Sequence, residues 1–186
     1  TMNAVIKKPA YWAFCWGSGL ATASYILNNP QLVVDKNICD LGTGSGIVAI
    51  AAKKAGAGEV LACDIDPDAL KAAELNCHIN EVEVSLIDNL DDIVEPVSLM
   101  FMADVLYDKN NFALIEVALS RAEELIIADS RINNLADKRF KIFNKMEMLT
   151  LPNLGEFDEY KEVTFYSSKK DLSVKGQTQI IDPCIG

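Results

Sequence analysis

Asp40-Leu41-Gly42-Thr43-Gly44-Ser45-Gly46 stands between a strand-like apolar run, Val33 to Leu41, and a segment of helical period in which Ile47, Ile50 and Ala51 share a face. Glycine is the residue that lets a backbone turn this tightly and approach a ligand this closely. A dinucleotide fingerprint, G-x-G-x-x-G, would need glycine where Ile47 stands. The spacing here is G-x-G-x-G with Asp40 before it, which argues against NAD. Gly46 opens the helix, and Gly56 stands where its C-terminal cap would.

The next strand, Glu59 to Cys63, ends in Cys63-Asp64-Ile65-Asp66-Pro67. Asp64 is placed to accept hydrogen bonds from two ribose hydroxyls, and a carboxylate there also rejects a 2′-phosphate. Strand, glycine turn, helix, strand and acid in this order predict a nucleoside site. Asp66 with Pro67 starts a second helix, on which Ala69, Leu70, Ala73 and Cys77 follow helical spacing.

Further out, Val82 to Ile87, Val97 to Met102 and Leu125 to Ala128 read as strands, alternating with a helix from about Lys109 to Glu123. Strand-helix alternation predicts a parallel sheet. A short helix, Leu20 to Leu27, is stopped by Asn28, Asn29 and Pro30. Past residue 145 two strand-like runs, Met146 to Leu151 and Val163 to Tyr166, joined by the turn-rich Pro152 to Asp158, predict an antiparallel hairpin closing the sheet. One domain over residues 1–186 is expected, residues 1–30 being an N-terminal lid segment; the tail from Lys169 is polar and weakly patterned.

The glycine motif has the form of the first motif of the seven-strand class I methyltransferases, which the chain resembles over most of its length. Two more segments are similar to one subgroup of them, the protein lysine methyltransferases that include the enzyme of the electron-transfer-flavoprotein β subunit. Tyr11-Trp12-Ala13-Phe14-Cys15-Trp16-Gly17-Ser18-Gly19 resembles that subgroup's tryptophan-containing N-terminal segment, and Asp104-Val105-Leu106-Tyr107 fits its D-x-x-Y/F motif. The chain lacks the N-P-P-Y type motif of amide and adenine methyltransferases.

The resemblance implies an α/β, Rossmann-like three-layer sandwich with a mostly parallel seven-strand sheet and an antiparallel C-terminal hairpin. It implies S-adenosylmethionine as cofactor and a lysine-bearing protein as substrate. Asp40, Gly42, Gly44 and Gly46 would hold the methionine part, Asp64 the ribose and Ile65 one face of the adenine, with Asp88 and Asn89 at the adenine edge. Trp16 and Gly17 would cover the cofactor. Asp104 and Tyr107 would line the passage of the target side chain, Asp104 holding an amine N–H and aiming the lone pair. Tyr107 and Trp16 offer π faces to a methylated amine.

Plainer readings stand beside these. Asp104 could cap the helix that follows it. Trp12 could be core or a hydrophobic staple. His78, the only histidine, reads as structural or solvated, which leaves no triad chemistry. Asp129-Ser130-Arg131, ending the fifth strand, is a substrate contact or a turn. Asp91-Asp92 reads as solvated loop charge, and no His, Cys, Asp and Glu spacing suits a metal. A small-molecule N- or O-methyltransferase and a non-catalytic cofactor-binding subunit are the alternatives. Residues 1–30 and the Pro152 to Asp158 loop are the only lid candidates, which favours an open, protein-accepting mouth.

The formal net charge of -10 would repel a phosphate backbone and suits a basic protein partner. No run approaches the ~20 apolar residues of a membrane span, and Thr1 to Lys8 lacks the build of a signal peptide. The five cysteines, Cys15, Cys39, Cys63, Cys77 and Cys184, read as reduced thiols, so a cytoplasmic protein is expected.

Overall fold

The computed structural model describes residues 10–152 and 161–169; the Thr1 to Lys8 start, most of the Pro152 to Asp158 loop and the tail after Lys169 lie outside the described residues. The strands are β1 (Ile38–Leu41), β2 (Val60–Cys63), β3 (Ser85–Ile87), β4 (Leu99–Ala103), β5 (Leu125–Asp129), β6 (Lys141–Glu147) and β7 (Glu162–Ser167). They form one seven-stranded sheet in the order β3-β2-β1-β4-β5-β7-β6. All pairs from β3 to β5 are parallel, while β7 runs antiparallel to both β5 and β6. The chain winds outward from β1 to β3, then returns to the other side of β1 as β4. Between β1 and β4 the sheet therefore has a topological switch point, where open α/β sheets bind ligands at the carboxyl ends of the strands.

Among the described residues four α-helices pack on the sheet: α1 (Gly17–Asn28), α2 (Ile47–Lys54), α3 (Pro67–Ile79) and α4 (Leu114–Arg121). Successive residues of the central strands point to opposite faces. On one face Ile38, Leu99, Phe101 and Ile126 meet Ala21 and Ile26 of α1 and Val48 and Ala52 of α2. On the other, Cys39, Met100, Met102, Leu125 and Ile127 meet Ile115 and Ala118 of α4. Both faces of β1 are buried along its whole length, which is why it reads as a continuous apolar run. Each fully buried Leu, Ile, Phe or Met contributes roughly 1.5–3 kcal/mol of transfer free energy.

Several boundaries differ from the sequence reading, each for a local reason. The Val33 to Leu41 strand shrinks to Ile38–Leu41 because Pro30–Leu32 is a 3-10 turn and Asp35 takes φ 58°. Val82 to Ile87 shortens to Ser85–Ile87, since Glu81 has φ 56° and the Val82 N–H donates to the Cys77 carbonyl at the end of α3. The last helix divides into a 3-10 turn, Lys109–Ala113, and α4.

The Met146 to Leu151 strand is displaced to Lys141–Glu147. As the outer strand of the sheet it is half solvated, with Ile142 50 % exposed, so its apolar alternation is broken. Met148 to Leu151 instead leaves the sheet, and Leu151 exchanges two 2.9 Å backbone hydrogen bonds with Cys15. The N-terminal helix starts at Gly17 rather than Leu20, because tertiary partners satisfy its first N–H groups.

Candidate active site

The glycine turn follows β1 at the switch point. Gly42, Gly44 and Gly46 have φ of 74°, 51° and 82°, the left-handed region. At Gly46 a Cβ would also lie 3.1 Å from Ala73 Cβ and 3.2 Å from Ala73 Cα, so α3 docks directly on the turn. Beneath it Asp40, 2 % exposed, accepts a 2.6 Å hydrogen bond from Thr43 and a 3.2 Å one from the Ala49 N–H in the first turn of α2. Burial pushes its carboxyl up to about 6, while the bonds from Thr43 and Ala49 favour the charged form. Asp40 thus braces the turn as well as bordering the cleft above it, which Phe14, Trp16, Gly19, Gly42, Gly44 and Ala103 also line.

Asp64 follows β2 beside this turn. Its carboxylate accepts from the Gly44 N–H at 3.0 Å and the Asp66 N–H at 2.9 Å. Each carboxylate oxygen can accept more than one hydrogen bond, so two hydroxyls can still be received. The next residue, Ile65, is 90 % exposed, an apolar surface suited to a flat base. Asp88 and the exposed Asn89 follow β3 at the same sheet edge, and Asn89 caps the 3-10 turn Leu90–Asp92 through a 3.0 Å bond from the Asp91 N–H. Asp91 also pairs with Arg121 at 3.0 Å instead of being wholly solvated.

The opposite wall comes from the N-terminal segment. Trp16 donates its indole N–H to the Tyr11 carbonyl at 2.8 Å, and its ring lies 6.1 Å from Tyr11 and 5.6 Å from Phe14, centroid to centroid. Tyr11 in turn lies 5.5 Å from Tyr107, which is 51 % exposed. Trp12 is half-buried outside the core, its Cα over the outer face of Gly44. Gly17 stands apart from the cleft lining: its N–H donates to Thr150, and a Cβ on it would meet the Met148 carbonyl oxygen at 2.9 Å. Gly19 is the glycine that faces the cleft.

Asp104, after β4, has φ 53° and caps α1 rather than the helix that follows it. Its Oδ1 accepts from the Ser18 hydroxyl at 2.6 Å and its Oδ2 from the Ser18 N–H at 3.0 Å. The later turn is capped by Asp108. Burial raises the Asp104 carboxyl above its ordinary range, opposed by the Ser18 bonds and the nearby Arg131 charge. Asp129, 1 % exposed, folds the turn after β5 by accepting from the Arg131 and Ile132 N–H groups at 2.8 and 3.1 Å. That turn brings Arg131 to Trp16.

Sequence reasoning named both walls but missed Ser18, Thr43, Phe14 and Thr150. Thr43 lies inside the glycine motif and Phe14 inside the aromatic segment, so both carried a signal. Ser18 lies in that same segment, but nothing local showed its role, because its partner is 86 residues away; Thr150 carried no signal, its partner being 133 residues away.

The cradle fits the methionine and nucleoside ends of S-adenosylmethionine: a turn of left-handed glycines, a free acceptor capacity at Asp64 and an exposed Ile65 at one end. The family profile described as ribosomal protein L11 methyltransferase (PrmA) matches residues 17–109, half of the chain. The chain belongs to that family. It is 42 % identical over 103 residues to the human electron transfer flavoprotein β subunit lysine methyltransferase, covering 54 % of this chain and 39 % of that protein. To the ribosomal protein L11 methyltransferase of Caldicellulosiruptor bescii it is 46 % identical over 96 residues, 52 % of this chain and 30 % of that one. The chain spans less than half the length of these curated relatives.

Among solved structures, the ribosomal protein L11 methylase of Lactobacillus delbrueckii subsp. bulgaricus superposes with TM-score 0.63 at 28 % identity, covering 82 % of this chain and 79 % of that one. A magnesium protoporphyrin IX methyltransferase from Synechocystis with S-adenosylmethionine bound shares the fold at TM-score 0.57 and 15 % identity, over 80 % of this chain and 76 % of that one. The fold and cofactor of this family are thus those of the class I S-adenosylmethionine-dependent methyltransferases, with protein lysine methyltransferases among the relatives.

Proposed function

We propose that this chain transfers a methyl group from S-adenosylmethionine to a lysine side chain of a protein. The observation that carries the reading is the aromatic cluster of Tyr11, Trp16 and Tyr107, of which Trp16 lines the glycine cradle, as does Ala103, the residue before Asp104. The names of the human and bacterial relatives, both protein methyltransferases, point the same way.

When bound, the cofactor supplies a methyl group on a positively charged sulfur. In our reading Gly42, Gly44 and Gly46, braced by Asp40, hold its methionine end, Asp64 takes the ribose, Ile65 stacks on the adenine, and Asp88 and Asn89 meet the adenine edge. Trp16 covers the cradle, with Gly17 seating α1 close enough for Gly19 to complete that wall. The target lysine must lose its extra proton in the site before transfer. Tyr11, Trp16 and Tyr107 exclude water from its amine, which lowers the amine pKa. Asp104 accepts an N–H and aims the lone pair, so positioning supplies most of the acceleration. The acidic surface favours a basic protein partner over nucleic acid. No helix among the described residues is long and apolar enough to cross a membrane. We place the reaction in the cytoplasm, in keeping with the free thiols Cys15, Cys39, Cys63 and Cys77 among the described residues.

The test is incubation with labelled S-adenosylmethionine and an extract of the source cell, with proteins resolved by size and small molecules collected separately. A labelled protein band that carries methyllysine by mass and is lost in Asp104→Asn supports the reading. Label found only in the small-molecule fraction overturns it in favour of a small-molecule methyltransferase. Cofactor binding with no transfer at all would leave a non-catalytic binding subunit.

A further inference from the structure

Arg131 reaches the same aromatic cluster from the end of β5. Its guanidinium carbon lies 5.9 Å from the centre of the Trp16 ring, within the ~6 Å reach of a cation–π contact. The same charge acts on Asp104 and Tyr107, favouring their ionised forms, so the group sits among the very side chains that form the acceptor passage. The base of this arm is fixed, because Asp129 holds the Arg131 N–H at 2.8 Å, whereas the residue as a whole is exposed. A long exposed side chain on a fixed backbone can change rotamer without moving the strand behind it.

We propose that Arg131 is an internal competitor for the acceptor site: its guanidinium rests on the Trp16 face in the free protein and is displaced by the lysine ammonium that arrives there. The inference rests on the lysine reading for the identity of the incoming cation. Two cations cannot share one aromatic face beside a single carboxylate, since like charges a few ångströms apart repel. Arg131 therefore raises the concentration of acceptor needed to fill the site and turns away cations that bring too few other contacts. No covalent bond changes in this step; one cation leaves the ring and another takes its place.

The test uses n-butylammonium, the side chain of lysine without its backbone, titrated into the whole chain while the Trp16 indole N–H is followed by NMR. Arg131→Gln should bind the probe about two- to fivefold more tightly than wild type, the ratio set by a cation–π contact at an exposed site. Arg131→Lys, which keeps the charge, should bind it at the wild-type level, and S-adenosylmethionine affinity should not change in either. Equal or weaker probe binding in Arg131→Gln overturns the proposal. The readout needs no methyl transfer. A tighter Arg131→Gln with no labelled protein in the transfer assay would support displacement while the lysine reading falls, and transfer with no gain in probe binding would overturn the competitor alone.

Discussion

The two walls of the site are built over different distances along the chain. On the cofactor wall the hydrogen bonds close locally: Thr43 reaches Asp40 three residues away, the Ala49 N–H nine, and Gly44 reaches Asp64 across 20. One strand-helix-strand unit can assemble all of it. On the acceptor wall Ser18 meets Asp104 across 86 residues and Gly17 meets Thr150 across 133. That wall exists only once α1, β4 and the segment after β6 have docked. The difference teaches that damage to the cofactor wall should act through a tight local joint, whereas the acceptor wall should be loosened piecemeal by changes far from the chemistry.

The largest effect is expected on the local side. In Gly46→Val a β-branched residue would have to take φ 82° with its Cβ 3.1 Å from Ala73. The conformation costs about 1–2 kcal/mol and the overlap with α3 a further 1–3. Urea unfolding should show a loss of about 2–5 kcal/mol, and calorimetry should show no S-adenosylmethionine binding. A loss below about 1 kcal/mol would mean that the turn and α3 are not rigidly joined, and the comparison would break there.

Next in size is Asp104→Ala, which removes both acceptors of Ser18 and the cap of α1. A loss of roughly 2–3 kcal/mol is expected. Asp104→Asn separates the two roles, since asparagine tolerates positive φ and keeps one acceptor. It should lose only about 1 kcal/mol, yet methyl transfer should fall by about a hundredfold if the carboxylate orients the acceptor. Transfer that falls only as far as stability does would reduce Asp104 to a helix cap.

The same contrast explains what could be read in advance. β1, the glycine turn, α2, β2 and Asp64 were legible because a buried parallel strand is a continuous apolar run and the turn chemistry is contiguous. The start of α1 was not, for its cap is Asp104 rather than a neighbour in sequence. β6 was misplaced because an outer strand with Ile142 half exposed shows no clean alternation. The motif containing Asp104 and Tyr107 was visible as a motif, but its partner Ser18 was not, and Gly17 and Gly19 look alike until their environments are known.

Asp129 lies between the two walls in character: its bonds to Arg131 and Ile132 are local, but its Oδ2 is buried without a partner among the described residues. Burial first, and then the Asp104 charge, push its carboxyl up to about 6, against the bonds from the Arg131 and Ile132 N–H groups and the Arg131 charge. A carboxyl whose pKa is higher folded than unfolded gives its stability below the unfolded value, near 3.8, and loses it as pH rises through about 6. Asp129→Asn keeps the Oδ1 acceptor and removes the charge. It should be about 2 kcal/mol more stable than wild type above pH 7, and its stability should vary less between pH 4 and 6. Thermal melts from pH 4 to pH 8 decide it; a variant no more stable at pH 8 would show that the buried carboxylate is compensated.

The smallest change tests whether the acceptor wall comes apart in pieces. Thr150, 7 % exposed, accepts the Gly17 N–H at 3.2 Å, and valine in its place keeps the shape while leaving that donor unpaired. A single neutral hydrogen bond of this kind is worth about 1 kcal/mol. Thr150→Val should therefore unfold about 1 kcal/mol more easily. Hydrogen exchange gives the sharper reading, because the next amide, Ser18, is held independently by Asp104. If the wall is piecemeal, the Gly17 amide exchanges faster in the variant while Ser18 keeps its protection. If both lose protection together, α1 and the segment after β6 dock as one unit, and the acceptor wall is as rigid a joint as the glycine turn opposite it.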